Sequence, residues 1–157
     1  MKNNFLNIYN NLIKLTRNKK LYENITNNES FSDRLIMFFF HFSFFLKLYK
    51  KDNSKKEMQK IYDFIFKQIE LSIREIGYGD ASINKKMKEY VNLMHTIINK
   101  VELWDDLDFS SKSKFFSEFI NTDKESTFFV SYFDKYSSYL LKNSFNYFTK
   151  EVISLKF

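Results

Sequence analysis

The chain has 157 residues, enough for one domain that buries about two-thirds of its unfolded surface. With 44% hydrophobic and 20% aromatic residues it is too apolar to stay disordered. With no Cys it can hold no disulfide framework, thiolate zinc site or cysteine nucleophile, and with two Gly and no Pro it lacks the punctuation of a hairpin-rich sheet fold. Lys and Arg (25) exceed Asp and Glu (19), giving a net charge of +6 and a pI near 9.3. That field favours acidic partners such as RNA, anionic lipid or an acidic protein, but no Arg-rich segment or aromatic signature singles out nucleic acid.

In chain order, Phe5, Ile8, Tyr9, Leu12, Ile13 and Leu15 recur at three and four, which predicts an amphipathic helix over 3–18. The first six residues lack the apolar run and small-residue cleavage site of a signal peptide. Leu21, Tyr22 and Ile25 form a short turn before the polar Thr26-Asn27-Asn28-Glu29. Ser30 and Asp33 stand at capping-box spacing and open a second helix that runs to about Lys50. Its centre, Leu35 to Leu46, reads LIMFFFHFSFFL between Arg34 and Lys47. A bilayer span needs about 20 apolar residues, so this shorter run predicts the central helix of a globular core, with an interfacial or client-binding surface as the alternative.

Lys51-Asp52-Asn53 is a break, and Ser54 with Glu57 makes a second capping box. The third helix extends to about Ile76 with the stripe Met58, Ile61, Tyr62, Ile65, Ile69, Ile73 and Ile76. Asp63–Lys67 and Glu70–Arg74 stand on it as acid-before-base pairs at i,i+4. Gly77-Tyr78-Gly79-Asp80 ends it. Gly77 fits a left-handed closing position, Gly79 a tight reversal, and Asp80 can bond amides of the next helix. Ser82 caps that fourth helix, which runs to about Val101 along Ile83, Met87, Tyr90, Val91, Met94 and Ile98. An acidic connector, Trp104 to Phe109, leads to helices near 110–120, 126–142 and 144–155. The expectation is an all-α fold, one compact bundle of six to seven helices over 1–157, with no repeat or linker.

Little of this carries reaction chemistry. His41 and His95 are the only histidines, on different helices and without a third ligand, and His41 reads as a buried, hydrogen-bonded side chain. Asp105, Asp106 and Asp108 lack the Gly and terminal Glu of a calcium loop. No nucleophile elbow or phosphate-cradling loop is present, so neither catalysis, metal nor cofactor is expected. Lys85-Lys86-Met87-Lys88 places cations on the first turn of a helix, the unfavourable end of its dipole. It reads either as a solvated face supported by Asp80 and Glu89 or as a docking patch for an acidic partner. Both glycines fall just before it, so the segment is either a plain helix–turn–helix corner or one that displays Arg74, Glu75, Asp80 and the lysines on one edge.

The run Ile73-Arg74-Glu75-Ile76-Gly77-Tyr78-Gly79-Asp80, followed by Ile83-Asn84-Lys85-Lys86-Met87-Lys88, resembles the paired motif of the ubiquinol–cytochrome c chaperone family. Arg34 and His41 stand at the spacing of that family's Arg-Phe and Leu-His, Ile61-Tyr62-Asp63 is similar to its Leu-Phe-Asp, and Tyr9 also fits. The likeness covers about residues 5–100; 102–157 has no counterpart. Asn84 stands where the family has Pro, Met94-His95-Thr96-Ile97 where it often has Phe-Tyr-Gly-Arg, and Gln68-Ile69-Glu70 where it has Asp-x-Asp. The resemblance implies a helical, non-enzymatic assembly factor that helps newly made cytochrome b reach the respiratory bc1 complex. It implies a partner edge on Arg74, Glu75, Gly77, Gly79, Asp80, Lys85, Lys86, Met87 and Lys88, with Arg34, His41 and Asp63 structural or partner-contacting. It further implies a cytoplasmic place, peripheral to the inner membrane face (the matrix side in a eukaryote), and, for mitochondrial members, work beside the ribosome exit with a small partner. DNA is not an expected partner. An open apolar groove beside the Gly77–Asp80 corner is expected for the client. The competing readings are a basic module that docks on RNA, ribosome or anionic membrane, and a helical enzyme on a prenyl-type lipid, which lacks the paired acidic motif it would need.

Overall fold

The computed structural model describes residues 2–23, 25, 30–120, 126–151 and 153–157. Among them the chain forms six packed α-helices and no strand: α1 (Lys2–Thr16), α2 (Phe31–Tyr49), α3 (Lys55–Ile76), α4 (Asp80–Glu102), α5 (Phe109–Phe119) and α6 (Thr127–Lys142). Short 3-10 turns stand at Lys19–Leu21, Trp104–Asp106 and Phe145–Thr149. The polar Thr26–Glu29 stretch lies outside the described residues.

α2 is the central helix. Its start is fixed by a complete capping box: the Asp33 amide donates to Ser30 Oγ at 3.1 Å and the Ser30 amide to Asp33 Oδ2 at 3.3 Å. Because apolar residues occupy every face of the run from Leu35 to Phe45, the helix can be satisfied only by neighbours all round, and it packs against α1, α4 and α6. Phe39 meets Phe66 of α3 and Tyr90 of α4 on one side. On the other, Phe40 lies 5.3 Å from Phe116 and 5.7 Å from Phe133, and Phe44 sits between Trp104 and Phe133. Each such phenyl buried contributes roughly 1.5–3 kcal/mol, and a well-set ring pair about 0.5–1.5 kcal/mol more.

Several expectations shift by small amounts. On α3, Ile76 is 51% exposed and Phe66 is buried, so the inward stripe closes at Ile73. On α4 Ile97 is buried alongside Ile83, Met94 and Val101, with Ile98 only partly covered. Asp63 accepts from Gln59 at 2.8 Å, and Lys67 turns to Glu70 at 3.3 Å, so the Asp63–Lys67 pair is replaced. The acidic connector hides Trp104, whose indole N–H donates to Asp134 at 2.9 Å, while Asp108 caps α5 by accepting from the Ser111 amide at 2.8 Å.

The largest difference is at the C-terminus. A helix over 144–155 is expected, but among the described residues of that segment the 3-10 turn Phe145–Thr149 forms instead. Asn11 of α1 donates to the carbonyls of Phe148 and Lys150 at 2.9 and 3.0 Å, and Asn7 to that of Thr149 at 2.8 Å. These tertiary bonds satisfy the carbonyls without helix continuation. Beyond them Tyr139 donates to the Ser154 carbonyl, and Phe157 packs on Tyr132, Tyr136 and Tyr139. The segment thus follows long-range partners rather than its own periodicity.

Candidate functional site

The α3–α4 corner turns on Gly77. Its φ of 105° and ψ of 15° lie in the left-handed region, and its amide donates to the Arg74 carbonyl at 3.0 Å. Gly79 is different: at φ −71° and ψ 163° it is ordinary extended backbone that any residue adopts, and a Cβ there would meet open space. The expected glycine-only reversal is therefore made by Gly77 alone. Asp80 and Ser82 also depart from expectation. α4 begins at Asp80 with Gly79 as its N-cap, which offers no side-chain oxygen, and Ser82 lies within the first turn rather than before it. The Asp80 carboxylate accepts from Arg74 Nη1 at 2.8 Å instead of from the helix amides, although its charge still sits at the favourable end of the dipole.

Arg74 is the link across the corner. Its Nη2 reaches Glu70 at 3.3 Å while Nη1 holds Asp80, so one guanidinium joins a carboxylate of α3 to one of α4. Asp80 first and Glu70 second hold the guanidinium more firmly protonated than usual, and the bonds from Lys67 and Arg74 pull the Glu70 carboxyl below its ordinary range. Glu75 is exposed beside them. Lys86 pairs with Glu89 at 3.7 Å and lies 5.9 Å from the Tyr78 ring centroid. Met87 is partly buried against the core. Lys85 and Lys88, one helical turn apart, are exposed and have no ion-pair partner among the described residues. Leu71, Ile76 and Tyr78 add exposed apolar surface around the corner.

Arg34, His41 and Asp63 do not join this cluster. His41 is fully buried between α2 and α6. A carbonyl can only accept, so Nδ1–H donates to Met37 O at 2.7 Å, which leaves Nε2 to accept from the Tyr132 hydroxyl, also at 2.7 Å. Burial pushes the imidazole down to about 4, partly opposed by the Met37 bond, so the ring is neutral at ordinary pH. Asp63 is exposed on α3.

Arg34 borders a cavity of about 500 Å³. Tyr9 and Ile13 of α1, Leu35 and Phe38 of α2, and Ile69 and Ser72 of α3 form its walls. This cavity does not open at the Gly77–Asp80 corner, where the client groove is expected: Ile69 and Ser72 precede Gly77 by one to two turns, where the end of α1 and the start of α2 meet α3. The sequence carried a signal for it, since Tyr9, Ile13 and Arg17 recur at four on one face of the first helix. Among the described residues no group of three or more His, Asp or Glu is placed to hold a metal ion, and no helix is long and apolar enough to cross a membrane.

A helical corner closed by one left-handed glycine and a bridging arginine, with bare lysines on its outer edge, offers a surface for binding. The model of the ubiquinol–cytochrome C chaperone family matches residues 23–103, more than half of the chain. The chain therefore belongs to the ubiquinol–cytochrome c chaperone family. The match takes in α2, α3 and α4 with the whole corner; α1 and everything after residue 103 lie outside it. Neither a curated protein nor a solved structure matches.

Proposed function

We propose that this protein is a non-enzymatic chaperone in the assembly of the ubiquinol–cytochrome c reductase (bc1) complex, acting on newly made cytochrome b. Family membership carries this reading, and the matched segment contains the whole corner. The residues of the corner fit docking. Arg74, Glu75, Asp80, Lys85, Lys86 and Lys88 keep charge on an exposed edge, Gly77 sets the turn that displays it, and Gly79 is the N-cap from which α4 starts. Met87 anchors the start of α4 to the core, His41 and Asp63 bond within the helical scaffold, and Arg34 borders the cavity between α1, α2 and α3. The whole chain works as one unit at the inner membrane face, without catalysis or cofactor.

The test is to purify a tagged chain from cells pulse-labelled during respiratory growth and probe for cytochrome b. Co-purification that falls at least tenfold with Lys85→Glu/Lys88→Glu supports the reading; absence of cytochrome b from the eluate overturns it. That Lys85 and Lys88 have no ion-pair partner among the described residues also favours a second reading, a basic module on ribosomal RNA or an anionic membrane. That reading requires binding that weakens steeply with salt, and a salt-insensitive interaction removes it.

A further inference from the structure

We infer that the outer face of α6, together with the segment 154–157, is a docking surface for an anionic lipid bilayer. This surface serves the place at the membrane face proposed above and rests on that reading. Its residues all lie outside the matched segment 23–103, and none belongs to the α3–α4 corner. Lys135, Ser138, Leu141 and Lys142 recur at three and four along α6, which sets them on one side of the helix. All four are exposed, while Phe133, Tyr136 and Leu140 are buried. Lys156 and Phe157 meet that outer side, and with Lys135, Ser138 and Lys142 they line a recess of about 390 Å³.

Three cations thus surround one recess without an answering charge. No hydrogen bond or ion pair among the described residues, to a side chain or to the end of the chain at Phe157, engages Lys135, Lys142 or Lys156. Asp134, the one acidic side chain lining the recess, is taken up by Lys112 Nζ at 3.3 Å and by the Trp104 indole N–H at 2.9 Å. Glu151 does not line it. Lys142 stands in the last turn of α6 and also answers the negative end of the helix dipole, whereas Lys135 and Lys156 have no such structural task. The Tyr139 hydroxyl donates to the Ser154 carbonyl, which leaves the Ser138 hydroxyl and the three ammonium groups to meet a headgroup. Apolar surface accompanies the charge. Leu141 is 63% exposed, the most of any large apolar side chain among the described residues, and Phe157 is 40% exposed while its ring rests on Tyr132, Tyr136 and Tyr139. Cations alone would serve RNA as well, but Leu141 gains only where acyl chains are there to enter. Two apolar side chains are too few for the stripe of anchors that seats a partner helix. Each lysine near an anionic leaflet strengthens binding roughly fivefold, and the buried apolar side chains add to that.

The experiment is co-sedimentation of the full chain with vesicles of phosphatidylcholine alone and with vesicles in which a third of the lipid is phosphatidylglycerol. The expected result is binding to the anionic vesicles at least tenfold tighter than to the neutral ones. Lys135→Gln/Lys142→Gln/Lys156→Gln is expected to weaken it at least tenfold, and the charge-matched control Lys14→Gln/Lys51→Gln/Lys55→Gln less than threefold. Leu141→Trp reports the apolar contact: Trp104, the one native tryptophan, is buried, so a blue shift of the emission on anionic vesicles is the expected signal. All of these positions are exposed, and circular dichroism melting checks that each variant folds. Failure to sediment with anionic vesicles, equal binding to neutral ones, or an unshifted Leu141→Trp emission overturns the assignment. So does full binding by the Lys135/Lys142/Lys156 variant, or an equal loss in the control. Binding of polyuridylate that depends on these three lysines while vesicle binding does not makes the patch an RNA contact and overturns it equally. The readout is lipid alone, so a failed vesicle assay leaves capture of cytochrome b standing, and failed capture leaves the vesicle result standing.

Discussion

The side of α2 that faces α5 and α6 and the corner between α3 and α4 are built from opposite materials. In the first, Phe40, Phe44, Phe116 and Phe133 stack and edge into one another at centroid separations of 5.3–5.7 Å, with Trp104 and Tyr136 filling the ends. In the second, the chain is held by one glycine conformation and by exposed ion pairs. Exposed pairs contribute little to stability, whereas ring clusters contribute most of it. The aromatic side therefore sets whether the protein folds, and the corner can change its charges without unfolding it. That separation suits the proposed binding role, because the surface proposed to meet a partner is not the part that holds the molecule together.

The comparison is most easily broken by truncating a ring. Phe40→Ala or Phe133→Ala is expected to cost about 3–5 kcal/mol, read by urea unfolding, because each leaves a cavity among rings that cannot collapse onto it. A loss below about 1 kcal/mol in either would show that the cluster is not the stabilising half.

His41 gives a second handle on the same side. Its imidazole titrates near 6.5 when unfolded and near 4 in the folded chain, so between those values the unfolded state binds the extra proton. Stability is thus full above about pH 6.5, falls as pH drops toward 4 and levels off below, by roughly 3 kcal/mol in all. Tyr132 and Tyr136, the rings against His41, are pushed upward by burial and stay protonated throughout this range. His41→Gln should flatten the window in pH-dependent unfolding curves. An unchanged slope would mean that His41 is solvated or charged in the folded state.

At the corner, the two glycines should part company. Gly77→Ala forces a side chain into the left-handed region and is expected to cost about 1–2 kcal/mol, whereas Gly79→Ala should be near neutral, the gain of about 0.4–1 kcal/mol from a stiffer unfolded chain being offset by the poorer N-cap that Ala makes. Equal effects at both positions in thermal melts would contradict the assignment of the turn to Gly77. The smallest change in stability belongs to the charges. Lys85→Glu/Lys88→Glu and Arg74→Gln should melt close to wild type, yet reduce client capture. Loss of stability comparable to a ring truncation would erase the contrast between the two regions.

The sequence made the helical part of this picture plain and left the tertiary part obscure. α2, α3 and α4 were legible because apolar spacing, the Ser30 and Ser54 caps and the closing Gly77 all point the same way. The stretch after Ser144 was not, because Phe and Tyr at helical spacing do not reveal that Asn7 and Asn11, more than a hundred residues earlier, bind its carbonyls. The burial of His41 followed from its apolar helix, but its Tyr132 partner, 91 residues on, could come only from the fold. At the corner, the motif gave residue types without their bonds: Asp80 suits a capping role by type, and the proximity of Arg74 across the turn decides otherwise. The cavity between α1, α2 and α3 was not foreseen because it belongs to three helices at once, while periodicity describes one.

The central claim is tested most directly by deleting the gene in its host and measuring haem-b absorbance of cytochrome b in respiring membranes. The account predicts that cytochrome b and the assembled bc1 complex fall severalfold and return when the intact chain is supplied, but not when Lys85→Glu/Lys88→Glu is. Normal cytochrome b in the deletion strain would contradict it.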